Sequence, residues 1–233
     1  MLEELKKEVY LANMELVKRG LVINTWGNVS GIDRKSGLVV IKPSGVEYSE
    51  LTPDLLPVLD LDGNIVEGKM RPSSDTPTHL ALYRAFDSIG GITHTHSVYA
   101  TSFAQAGRCI NAYGTTHADY FPGPVPCTRK MTPDEINTEY ELNTGNVIIE
   151  TVRTVGADRI HGTLVHSHGP FTWGNSAMAS ADASAVLEVI AQMAFNTELL
   201  QAVTGNFGTQ MQSELLFKHF NRKHGPGAYY GQN

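Results

Sequence analysis

Cysteine is nearly absent: the 233 residues contain two, Cys109 and Cys127, and no C-x-x-C spacing. This excludes a scaffold stapled by several disulfides and a cysteine-ligated zinc ribbon. It suits a reducing compartment, with a free, partly buried thiol as the simplest reading and a single bridge left open. Charge is modest too, 18% of residues with a net of −6. That balance argues against a protein that grips nucleic acid through a basic face. An anionic small molecule stays possible, because a few backbone N–H groups and one lysine can reverse the potential locally. No uninterrupted apolar run reaches the ~18 residues of a membrane span. The first residues, Met1 to Lys7, read as the start of an amphipathic helix without the apolar core of a signal peptide. The expectation is a cytoplasmic protein with neither nucleic acid nor membrane as partner. Hydrophobic content of 41% suffices for one sizeable core, and no stretch reads as a linker, so one domain is expected over residues 1–233.

Periodicity and punctuation give the layout. Leu2, Leu5, Val9, Met14 and Val17 recur near helical spacing until Gly20, predicting a helix over 2–19. Leu21–Asn24 and Leu38–Ile41 read as paired strands separated by a polar turn, Thr25–Ser30, and ending in Lys42-Pro43-Ser44-Gly45. Val58–Leu61 and Asn64–Glu67 flank Asp62-Gly63, a hairpin signal. Helices are predicted over 76–88, with Pro77 at a first-turn position, and through Tyr99–Ala104. Thr132-Pro133-Asp134-Glu135 has the form of a capping box opening a helix over 133–154. Leu164–His168 reads as a strand, and Ser176–Val203 and Met211–Lys223 as helices. The mixture predicts an α+β protein, a layered α/β/α sandwich with helices covering a mostly antiparallel central sheet.

The most informative stretch is His94-Thr95-His96, two imidazoles at i and i+2 on an apolar run, hence on one face of a strand. Such a pair can hold a divalent cation, or can be satisfied by backbone partners within a sheet. The pattern H-x-H-x-D-H of one familiar metallohydrolase class is missing, since Ser97-Val98-Tyr99 follows. A further imidazole lies in His166-Ser167-His168-Gly169-Pro170, and a carboxylate in Ser73-Ser74-Asp75-Thr76-Pro77. Alone, Asp75 reads as a helix cap. Ser73, Ser74 and the turn Ser44-Gly45, with Lys42, suit a phosphate. Gly114–Tyr120 is dense in ionisable groups, with Asp119 a candidate general acid or base and His117 a residue that orients neighbours. The tail Gly225–Gln232 is glycine-flanked; its tyrosines can be a frayed end or can reach a distant site, even in a neighbouring subunit.

Taken in order, Thr25–Ser30, Ile41–Gly45, Ser73–His79, His94–Ser97, Gly114–Tyr120, His166–Pro170, Arg222–Gly225 and Tyr229–Gln232 closely resemble, nearly end to end, the pentose-phosphate epimerase branch of the class II aldolase/adducin family. The resemblance implies a cytoplasmic homotetramer with four-fold symmetry and active sites at subunit interfaces. It implies His94, His96 and His168 as metal ligands with Asp75 as the accompanying carboxylate. It implies Gly27, Asn28, Ser44, Gly45, Ser73 and Ser74 as substrate and phosphate contacts, with Lys42 alongside. Asp119 and Tyr230 match the acid/base pair, the tyrosine coming from the adjacent subunit, and Thr115 and His219 match supporting positions. The implied cofactor is Zn2+, with Mn2+ or Co2+ able to substitute. The implied reaction interconverts L-ribulose 5-phosphate and D-xylulose 5-phosphate at C4 by C3–C4 cleavage and re-formation, in arabinose breakdown or another route through the same pentose phosphate, such as ascorbate use. Two alternatives stand beside it. One is a sugar-phosphate aldolase like L-fuculose-phosphate aldolase, which typically has glutamate where this chain has Asp75. The other is an adducin-like structural module, against which the three histidines argue.

Overall fold

Strands β5 (Gly91–His94) and β7 (Pro170–Gly174) pair antiparallel, and each shows a different chemistry on its two faces. On one face stand Gly91, Thr93, Thr172 and Gly174, small or β-branched residues that let a helix come close. Helix α7 (Ala177–Thr204) lies there: the Thr93 hydroxyl is 2.7 Å from that of Ser180, and the Thr172 hydroxyl donates to the Ser180 carbonyl at 3.0 Å. On the other face Ile92, Phe171 and Trp173 enter the larger apolar core. The computed structural model describes residues 2–208 and 210–231, and within them one seven-stranded sheet, every neighbouring pair antiparallel. Its order is β4 (Ile65–Glu67), β3 (Val58–Leu59), β2 (Leu38–Ile41), β1 (Asn28–Asp33), β5, β7, β6 (Gly162–Leu164). Helices α1 (Glu3–Lys18) and α7 cover one face; α2 (Thr76–Ala85) and α6 (Tyr140–Val152) pack together over the other. This is the expected α+β sandwich.

Central strand β1 occupies residues expected to be a turn, while Leu21–Asn24 is coil. Asn28-Val29-Ser30-Gly31 carries two polar side chains, which hides it from an apolar count, yet both are buried and bonded. Ser30 Oγ lies 2.7 Å from His79 Nδ1 and 2.8 Å from the Tyr83 hydroxyl on α2. The alternate face, Val29 and Gly31, packs on α1; a Cβ on Gly31 would come within 2.9 Å of Leu5 and 3.0 Å of Val9. Two further departures shape the site. The strand after Thr163 stops at Leu164, and His166-Ser167-His168 forms a tight connection to β7, with Ser167 in the left-handed region at φ 62. Likewise β5 ends at His94, so His96 lies just beyond the strand.

The capping box is present, with Thr132 and Glu135 bonding each other's backbone N–H, but the helix it opens is short. That helix, α5 (Pro133–Asn137), ends before Thr138-Glu139, and α6 starts anew at Tyr140. Asn137 and Thr138 return their side chains to the Pro133 and Asp134 carbonyls, and Asn143 takes that of Glu135. Polar side chains competing for helix carbonyls explain the interruption. The remaining helices are α3 (Val98–Gln105), α4 (Thr115–Ala118) and α8 (Ser213–His224). Both cysteines are free, and burial pushes the Cys127 thiol up to about 11. Although no uninterrupted apolar run suggested a span, α7 at 28 residues is long and apolar enough by length and composition to cross a membrane. Its Ala/Ser face instead packs on the sheet.

A Cβ at Gly91 would sit 2.3 Å from the Ser176 carbonyl and 2.4 Å from the Ala177 backbone, whereas one at Gly123 meets nothing within 4 Å. Gly91→Ala is expected to cost about 1–3 kcal/mol or more in urea unfolding. Gly123→Ala is expected to stay within about 0.5 kcal/mol of the parent. Equal midpoints would show that α7 does not seat on β5 in this way.

Candidate metal centre

His94 closes β5 with its ring stacked on Phe171, 4.2 Å between centroids and 16° between planes. Its Nδ1 is 3.0 Å from the Pro170 carbonyl. A carbonyl only accepts, so Nδ1 carries the proton and Nε2 keeps its lone pair. That Nε2 lies 3.0 Å from His96 Nε2. His168 arrives through the turn after β6. Gly169 makes its approach possible: a Cβ there would be 2.8 Å from the Thr95 carbonyl. One nitrogen from each of His94, His96 and His168 lies within 4.8 Å of the others, a grouping found once among the described residues. Tetrahedral ligation at Zn–N ~2.0–2.1 Å places nitrogens about 3.3 Å apart, so this donor set fits a zinc-like cation after small ring movements. Three imidazoles leave a coordination position open, as catalytic rather than structural sites do.

Asp75 is at the N-terminus of α2, as expected, but its side chain does not cap the helix. Its Oδ2 accepts from Asn28 Nδ2 at 2.7 Å, and it stands outside the close histidine group. Burial opposes its charge, but the imidazoles of His94 and His79 and the Asn28 amide outweigh that and hold its carboxyl below the usual carboxylate range. Asn28, on β1 opposite His94 in register, is itself buried, and its Oδ1 has no partner among the described residues. Such an orphaned acceptor costs about 1–3 kcal/mol unless a donor reaches it, which marks it for a bound hydroxyl or water.

These residues open on a cleft of about 420 Å³ lined also by Gly27, Lys42, Ser44, Gly45, Ser73 and Ser74. Eleven of the residues singled out from sequence thus share one cavity. Within it Lys42 is 1% exposed, its ammonium donating to the Val46 carbonyl at 2.8 Å and lying 4.7 Å from the Tyr48 ring centre. Tyr48 in turn donates to the Trp26 and Gly27 carbonyls, so lysine and tyrosine together tie the two loops that wall the cleft. Burial pushes the Lys42 ammonium below its ordinary value. Trp26, Tyr140 and Glu141 also line the cavity. Tyr140 and Glu141 carried no functional reading because the period ran straight through them as one helix; only the unexpected break brings them here.

Asp119, Thr115, His219 and Tyr230 do not line this cleft. They form a second cluster, in which Asp119 accepts from His219 Nδ1 at 3.0 Å and from Arg222 at 2.9 Å, with Lys223 3.6 Å away. Burial works to raise the Asp119 carboxyl, but the Arg222 and His219 hydrogen bonds and the neighbouring positive charges prevail and hold it low. Thr115 is one helical turn before it, its carbonyl accepting from the Asp119 N–H. The Tyr230 ring lies 4.6 Å from both the Arg222 and the Lys223 cations and is 57% exposed. Asp119 and Tyr230 therefore share one surface of the chain. Gln232, which closes the tail motif, lies outside the described residues.

Residues 7–195 match the family described as Class II Aldolase and Adducin N-terminal domain. The chain is 52% identical over 231 residues to "L-ribulose-5-phosphate 4-epimerase UlaF" of Salmonella paratyphi B, covering 99% of this chain and 100% of that protein; the protein of that name from Salmonella typhi matches equally. Among solved structures, an L-fuculose 1-phosphate aldolase superposes with TM-score 0.74 at 25% identity, covering 93% of this chain and 94% of its own. YgbL of Klebsiella pneumoniae, titled a putative aldolase/epimerase/decarboxylase, superposes with TM-score 0.70 at 22% identity, covering 94% and 99%.

Beneath the cleft, burial pushes fully buried His79 down to about 3, and His168 likewise to about 3. In the unfolded chain both protonate near the ordinary ~6.5. The unfolded state therefore binds more protons between those values, and stability is fully present above pH ~6.5 and drains as pH falls toward about 3. Each such group contributes a slope of about 1.4 kcal/mol per pH unit. Urea unfolding of chelated protein at stepped pH is expected to show this loss, and His79→Gln to flatten it by one proton's worth. An unchanged slope in His79→Gln would mean that His79 is not buried neutral.

Proposed function

Because the chain belongs to the class II aldolase/adducin family, we propose that it is a metal-dependent epimerase that interconverts L-ribulose 5-phosphate and D-xylulose 5-phosphate at C4. The observation that carries this reading is the cleft itself, in which three imidazoles, a pinned carboxylate, an orphaned amide oxygen and two serine-bearing turns face one another. Simple deprotonation at C4 would leave a carbanion with nothing to stabilise it. Breaking C3–C4 instead sends the electron pair toward the C2 carbonyl and gives a three-carbon enediolate and glycolaldehyde phosphate. A divalent ion on His94, His96 and His168, with Asp75 alongside, supplies positive charge against the charge that develops on the adjacent oxygens. Zinc suits the imidazole set, and manganese or cobalt can substitute.

The chain's own residues handle what remains. Ser44-Gly45 and Ser73-Ser74 keep the phosphate of the two-carbon fragment, so the aldehyde turns without leaving. Gly27 and Asn28 contact the sugar hydroxyls, and Lys42 holds the turn that grips phosphate. One residue removes the O4 proton from one face and another returns a proton on the opposite face; Asp119 and Tyr230 fill these roles, supported by His219 and Thr115. The resemblance puts only Tyr230 on the adjacent subunit; because Asp119 also lies outside the cleft of its own chain, beside Tyr230, we extend the proposal so that a neighbouring subunit of a cytoplasmic homotetramer supplies both. The apolar stripe Val189, Met193, Phe195, Leu199, Leu200 and Val203 along α7, each at least 45% exposed, supports such an assembly. The pathway proposed is one that passes through this pentose phosphate, arabinose breakdown or another route such as ascorbate use.

Purified enzyme given L-ribulose 5-phosphate is expected to form D-xylulose 5-phosphate without releasing free aldehyde; accumulation of glycolaldehyde phosphate would favour the aldolase reading. Asp119→Asn and Tyr230→Phe are each expected to slow turnover by about 10²–10⁴ with metal still bound. His96→Asn is expected to lose metal and activity together. Subunits of Asp119→Asn mixed and reassembled with His96→Asn should recover activity, because a hybrid interface pairs an intact cleft with an intact Asp119. No recovery would confine the site to one chain.

A further inference from the structure

His168 differs from His94 in the partner given to its second nitrogen. His94 Nδ1 meets a carbonyl, which fixes its tautomer outright. His168 Nδ1 meets the hydroxyl of Tyr140 at 3.3 Å, with the two rings 25° from parallel. A hydroxyl can accept or donate, so this pair has two arrangements. If the proton sits on Nε2, the tyrosine donates to Nδ1 and the lone pair is turned away from His94 and His96. If it sits on Nδ1, the tyrosine accepts, and Nε2 offers its lone pair to the cluster.

A cation shared by the three rings selects the second arrangement. The tyrosine's own proton is then free, and Tyr140, half-buried, lines the same cleft as Ser73, Ser74 and Asn28. Its place follows from the break between α5 and α6, which starts a fresh helix at that residue. We propose that Tyr140 is a positioning residue of the metal centre, accepting from His168 Nδ1–H so that Nε2 faces the cation, and that cation binding thereby turns the tyrosine hydroxyl into a donor toward the sugar-phosphate cleft. This rests on reading the three histidines as a metal centre. Partners of this kind orient ligating histidines and commonly hold about 10–100-fold in metal affinity.

The test uses Zn2+ alone, competed against a chromophoric chelator, on wild-type and Tyr140→Phe protein, with the thermal midpoint of each metal-free protein as a measure of folding. The expected result is one tight site in the wild type, binding weaker by about 10-fold in Tyr140→Phe, and equal metal-free midpoints. Equal affinity overturns the role of Tyr140 and leaves the metal centre standing; a wild type that binds no zinc overturns the metal centre itself. Independently of any variant, long-range proton–nitrogen spectra of zinc-loaded wild type should show His168 protonated at Nδ1. Protonation at Nε2 would overturn the proposal.

Discussion

The contact on which the site depends is the approach of the Gly169 backbone to Thr95, where the turn into β7 meets the end of β5. There the Thr95 N–H donates to the Pro170 carbonyl at 3.4 Å while His94 Nδ1 donates to the same oxygen at 3.0 Å. No side chain fits between the two segments, so glycine is required, and the left-handed Ser167 before it sets the direction in which His168 leaves the turn. Imidazoles separated by some seventy residues of chain are thereby brought within 4.8 Å of one another by backbone pairing rather than by their own attraction. The sheet is the instrument of the site, and its small-residue face against α7 is what keeps those two strands fixed.

Much of this was legible in the sequence because the signals were local. Ser176 and Gly205 bracket α7 as an N-cap and a left-handed C-cap, and the expected hairpin forms around Asp62-Gly63, although its strands stop at Leu59 and restart at Ile65, leaving a loop longer than the two-residue turn expected. The expected α1, α2 and α3 are present with ends shifted by a few residues. What escaped was decided by tertiary partners. Strand β1 looks like a polar turn until Ser30 is seen bonded to His79 and Tyr83. The 133–154 helix looks continuous until side chains of Asn137, Thr138 and Asn143 take carbonyls the helix would have used.

The candidate site divides in a similar way. Motif order grouped Asn28, Ser44, Ser73, Asp75 and the three histidines, and all of them line one cleft. The same ordering could not reveal that Asp119 and Tyr230 gather elsewhere around Arg222 and Lys223. A carboxylate paired to that many cations is held charged and oriented. The cleft and the cluster are thus separate on one chain, and their meeting across a subunit interface belongs to the function proposed above, as does the role of the exposed apolar stripe of α7.

Every step of the proposed chemistry needs His94, His96 and His168 to hold a single divalent cation. Anomalous diffraction at the zinc edge from crystals of zinc-loaded protein tests it most directly. One strong peak per chain is expected, within ~2.0–2.1 Å of one nitrogen from each of the three rings. A peak elsewhere, or zinc-saturated crystals with no peak among those rings, would contradict it.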